Sequence, residues 1–97
     1  DCNKHHWCTI MLGDISRAEH IYIAIGYTDM MKQIDGLSAL VTAKFRLDFF
    51  SNLVFLFCGR NTKVMKALHW EGDGFVLLYK RLENGRFKWP RDESEAK

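Results

Sequence analysis

The chain has 97 residues, 47% of them hydrophobic and 27% charged, with a net charge of +2. That balance excludes a disordered segment, and the length excludes two separate cores. The longest wholly apolar run, Leu53 to Cys58, is far too short to cross a bilayer, and three cysteines without a secretory framework point to a reducing cytoplasm.

The first ten residues, DCNKHHWCTI, show no period. Cys2, His5, His6 and Cys8 are metal-ligand types, but their spacing is too cramped for one tetrahedral zinc. Residues 1–10 therefore read as an N-terminal extension before a natural start at Met11, and residues 11–97 as a single domain. No metal and no cofactor is expected. Ile21 to Ile25 is a short β-branched and aromatic run, read as a strand that Gly26 breaks. Thr28 or Asp29 then caps a helix through a short side-chain oxygen. Met30, Ile34, Leu37, Val41 and Phe45 form its apolar stripe, with Lys32 and Asp35 on the opposite side. Gly36, costly within a helix, implies a close approach to a sheet. DFFSN, Asp48 to Asn52, is a loop.

LVFLFC, Leu53 to Cys58, is apolar at every position and reads as a central strand covered on both faces. GRNT, Gly59 to Thr62, is a turn before a strand over Lys63 to Trp70. EGDG, Glu71 to Gly74, turns the chain into Phe75 to Leu82, and ENG, Glu83 to Gly85, into a last strand RFKW, Arg86 to Trp89, ended by Pro90. The expected fold is α+β: a mostly antiparallel β-meander of about five strands with one helix packed on one face. Apolar residues occur at both parities of Phe75–Leu82, so the second face also needs a cover. The candidates are a partner subunit, as in a homodimer, and residues beyond Lys97. DESEAK has the acids of a helix first turn.

No phosphate-binding glycine motif is present, and Asp29 would repel an anion held at GYTD. Cys58 lies in an apolar strand, His69 lacks a partner at informative spacing, and Glu71 and Asp73 are ordinary turn acids. No catalytic residue and no enzyme is expected. The stronger pattern is basic and aromatic. From Arg60 to Arg91 eight Lys/Arg face three Asp/Glu, and Asp92, Glu93 and Glu95 follow. Arg60, Lys63, Lys66, Lys80, Arg81, Arg86, Lys88 and Arg91, aligned on one sheet face, would make a surface for a polyanion, with Trp89 as a stacking group.

GYTDMMKQIDGL, FLFCGR and KALHWEGDGFVLLYKRLENGRFKWP, in this order, closely resemble the TnpB accessory proteins of the bacterial insertion sequence 66 family, also described as its second open reading frame. The resemblance runs from about Met11 to Lys97. It implies a small protein encoded in a mobile element beside a DDE transposase and needed for efficient transposition; it carries over no catalytic residues. Members generally have a basic residue where Met31 stands, and they tend to continue past Lys97 with a further helix. The resemblance also makes Tyr27, Asp29, Lys32 and Asp35 a candidate protein-contact surface. Two functions follow as expectations. One is a non-catalytic accessory factor that binds DNA through its basic face and assists the transposase. The other is an interaction module that binds the transposase or another accessory protein without touching DNA.

Overall fold

The structure is a computed structural model that describes residues 2–3, 7–10, 20–92 and 94. One sheet carries two short strands, β1 (Cys2–Asn3) and β2 (Trp7–Ile10), followed by β3 (His20–Ala24), β4 (Leu53–Cys58), β5 (Val64–Trp70) and β6 (Phe75–Arg81). The strands lie in chain order, β1-β2-β3-β4-β5-β6. Every neighbouring pair is antiparallel except β3 and β4, which run parallel. A parallel pair cannot be closed by a tight turn. The crossover between them carries the helix α1 (Ile34–Thr42). The α+β architecture is as the sequence indicates, with the meander beginning at β4.

Register explains which side chains meet. Trp7, Ala24, Phe57 and Lys66 share one face with Tyr22, Phe55, Leu68 and Leu77. Leu37 and Val41, one helical turn apart on α1, are buried against this face, where Phe55, Phe57 and Leu68 have no exposed area. Each such side chain contributes on the order of 1.5–3 kcal/mol through burial. Trp7 fills the centre of the layer, with edge-to-face contacts to Phe45, Phe55 and Phe57 at 5.2, 5.5 and 5.5 Å. Residues read as an extension thus supply a core side chain and two strands. No sequence period announced them, because two- and four-residue strands are shorter than any pattern can show.

Three local expectations are corrected. RFKW is not a strand. Residues 86–90 form an irregular strap across the end of the sheet, with the Phe87 amide donating to the Thr62 carbonyl at 2.7 Å and the Gly26 amide to Pro90 at 2.8 Å. The helix begins at Ile34, and Asp29 instead caps a single turn by accepting from the Met31 amide at 2.9 Å. A side chain at Gly36 would meet the Lys32 stem at 3.1 Å, so the space there is taken by a lysine rather than by the sheet. The readings of His5, His6, Glu93 and Glu95 lie outside the described residues.

The face away from the helix carries Ile21, Ile23, Val54, Leu56, Cys58, Met65, Ala67, His69, Val76, Leu78 and Lys80. Cys58 is fully buried, whereas Val76 and Leu78 are exposed. Burial pushes the Cys58 thiol pKa up, which fits the reading of this residue as a small hydrophobe rather than a nucleophile.

Candidate nucleic-acid and partner interface

Three connections converge at one end of the sheet, where β3, β4 and β6 finish and β5 begins. They are residues 25–33, residues 59–63 and the strap. Their backbones are tied together: the Thr28 amide donates to Cys58, Leu82 to Lys63 and Phe87 to Thr62, at 2.8, 2.8 and 2.7 Å. Thr62 adopts a positive φ of 58°, an uncommon conformation for a β-branched residue. Its amide bonds the Gly59 carbonyl, and Asn61 closes the turn by accepting from the Lys63 amide at 3.0 Å. The Arg86 guanidinium donates to the Asn61 carbonyl, drawing the strap against this turn.

The cations do not share one sheet face. Strand register puts Lys80 on the side away from the helix and Arg81 on the helix side. Arg81 is paired with Glu83 at 3.0 Å. Lys66 is only 3% exposed. Its ammonium donates to the Lys32 carbonyl at 2.7 Å and lies 3.4 Å from Gln33 Oε1. That lysine braces the entry to α1 and cannot meet a phosphate. Trp89 is half-buried and donates its indole N–H to the Ala24 carbonyl at 2.8 Å, so it fastens the strap to β3 instead of standing free to stack.

Arg60, Lys63, Arg86 and Lys88 do gather, on residues 59–63 and the strap. All but the half-buried Lys63 are exposed, and Arg91 is exposed just beyond. Residues 59–63 and 82–90 hold a single carboxylate, Glu83, already engaged by Arg81. The positive end is therefore built from turns, not from strand parity. Beside it a groove of about 580 Å³ is lined by Tyr27, Asp29, Met30, Arg60 and Asn61, among others. The structure thus brings Tyr27 and Asp29 next to Arg60. Lys32 is half-buried, and Asp35 stands exposed in the first turn of α1. The amides of Gly26, Thr28, Met31 and Lys32 are all bonded within the protein, so this corner is not a ready phosphate cradle.

Sequence reading missed Phe49 and Phe50, which stand 72% and 89% exposed at the opposite end of the sheet. Their loop is fixed from several sides. The Asp48 carboxylate accepts from the Phe50 amide and the Ser51 hydroxyl, each at 2.9 Å. The Trp70 indole donates to the Asp48 carbonyl at 2.8 Å. The signal available in the sequence was two adjacent aromatics between polar turn residues, where no core pattern calls for them. Among the described residues no three His, Cys, Asp or Glu side chains gather as a metal site, and no helix is long and apolar enough to cross a membrane.

Residues 19–97 match the family described as "IS66 Orf2 like protein". The chain belongs to this family of IS66 Orf2-like proteins. Two similar proteins come from Sinorhizobium fredii. The uncharacterised protein y4hO is 36% identical over 76 residues, covering 78% of this chain and 66% of that protein. The uncharacterised protein y4jC is 31% identical over 75 residues, covering 77% of this chain and 64% of that protein. The chain thus spans just under two thirds of the length of each. No solved structure matches.

Proposed function

We propose that this chain is a non-catalytic accessory protein of insertion-sequence transposition, working beside the element's transposase in the cytoplasm, and that its basic sheet end contacts DNA. The supporting observation is the gathering of Arg60, Lys63, Arg86 and Lys88 on two adjoining connections whose one carboxylate is already paired. Lys80, Arg81 and Arg91 extend this positive end. Clustered cations gain affinity for a phosphate backbone by releasing condensed counterions. The contacts would position the protein rather than read bases.

Anisotropy titration with a fluorescent duplex at two salt concentrations tests this. Binding is expected at low salt and should weaken steeply as salt rises. Replacing Arg60, Lys63 and Lys88 together with glutamate should abolish it without changing the circular dichroism spectrum. A wild-type protein that fails to bind any duplex at low salt would end the reading.

A second reading, a protein-contact module, is favoured by Phe49 and Phe50. Exposed aromatics on a pre-ordered loop lose little entropy on docking and are typical anchors of interfaces. Tyr27, Asp29, Lys32 and Asp35 would add a polar surface at the far end. Pull-down of the transposase should then survive high salt and be lost in Phe49→Ser/Phe50→Ser. Capture that this double variant leaves intact would remove the aromatic loop from the proposal.

A further inference from the structure

Among the described residues the last strand of the sheet, β6, pairs on one side only. Its ladder to β5 runs from Phe75 to Arg81, and no described strand follows it in the sheet order. A seven-residue edge is long, and its charge is confined to the last two residues, Lys80 and Arg81, leaving Phe75 to Tyr79 uncharged. Val76 is 38% exposed, Leu78 58% and Tyr79 59%. These lie on both faces, so burial of either face alone does not account for them. What covers both sides of an edge at once is another strand.

From this we infer that β6 pairs antiparallel with β6 of a second copy of this chain, joining two sheets across a two-fold axis, with Asp73 of each copy facing Arg81 of the other. A two-fold perpendicular to the sheet opposes residues of the same parity, so only registers centred on a single residue are allowed. Centring on Leu77 sets Leu78 beside Val76 and Tyr79 beside Phe75 of the partner copy. It also places Arg81 opposite Asp73, giving one oppositely charged pair at each end of the seam. Centring on Leu78 would place Asp73 against Glu83, two carboxylates in apposition. Centring on Val76 would pair the strands only over Phe75–Leu77. Like charges directly opposite are unfavourable, and aromatic and branched pairs are favourable. The Leu77 register satisfies both conditions. Arg81 is exposed, and its present partner Glu83 is two residues away on the same surface, so the guanidinium can bridge both acids. The pairing stands independently of whatever the basic end binds.

Sedimentation velocity from low to high micromolar protein provides the test, with Asp73→Arg and Arg81→Asp made singly and together. The wild type is expected to dimerise as concentration rises. Each single reversal should raise the dimer dissociation constant about tenfold or more, and the double reversal should restore it. Circular dichroism confirms folding of each variant. If a single reversal fails to fold, Leu78→Lys serves instead, and it should give a monomer. A wild type that stays monomeric throughout overturns the inference. So does a dimer indifferent to the single reversals, or a double variant that remains as weak as either single.

Discussion

Lys66 shows how a residue type can mislead and its neighbours correct it. Its position on β5 opposes Phe57 on one side and Tyr79 on the other, on the helix-covered face. The aliphatic stem fits that layer, and the ammonium reaches the Lys32 carbonyl just before α1 begins. Lys66→Met keeps the stem and removes the donor, leaving a carbonyl with a lost partner. Urea denaturation should show a loss of about 1–3 kcal/mol, the usual cost of an unsatisfied buried polar group. Duplex affinity of the folded variant should be unchanged, in contrast to Lys88→Glu.

Asp48 gives a pH signature. The Ser51 hydroxyl, then the Phe50 amide, hold its carboxyl below the ordinary value of 3.8. A depressed folded pKa means that the ionised form is favoured by folding. Its contribution is therefore full above the unfolded value and is lost as pH falls through the folded one. The thermal midpoint of wild type should exceed that of Asp48→Asn near neutrality. The gap should close as pH drops below about 4. A gap that persists undiminished at pH 2 would mean that the side chain acts by shape alone.

The connection that carries Phe49 and Phe50 is held by a glycine from another turn. Gly72, between β5 and β6, has φ of +95°, and a Cβ there would lie 2.3 Å from the Phe49 carbonyl oxygen. The obstacle is backbone, which cannot swing aside. Gly72→Ala should cost about 1–3 kcal/mol from strained backbone and the displaced loop. Hydrogen exchange at the Phe50 amide should quicken with it.

This contact also marks what the sequence disclosed. EGDG was legible as a turn because glycine is the residue that tolerates positive φ. That Gly72 must also sit beneath residue 49 depends on the β5–β6 register and the helical crossover, which no local pattern encodes. The same holds elsewhere. LVFLFC was readable as a central strand from composition alone, and Leu37 and Val41 from their spacing. RFKW alternates like a strand, yet Arg86 and Trp89 are drawn to Asn61 and Ala24, so tertiary bonds override the alternation. The basic surface was legible as a count of charges in Arg60–Arg91. Its placement was not, because it arises where turns meet.

The sheet has two poles, a positive one and an aromatic one, with the β6 edge along its side. Met31 offers a test of the positive pole. It is 83% exposed in the turn that Asp29 caps, on the connection lining the groove beside Arg60. A thioether there gains nothing from water, whereas a guanidinium would add a cation to the same end without disturbing the core. Met31→Arg is therefore expected to leave the thermal midpoint within error and to tighten duplex binding at low salt. If the new side chain meets one phosphate, the slope of log K against log salt should steepen by about 0.9. Equal affinities and slopes for the two proteins would place the DNA contact away from the Gly26–Gln33 connection and confine it to Gly59–Lys63 and the strap. Combining Met31→Arg with Phe49→Ser/Phe50→Ser separates the poles. The added cation should retain its effect on DNA, while salt-resistant capture of the transposase is lost, because Met31 and the Phe49–Phe50 pair stand at opposite ends of the sheet.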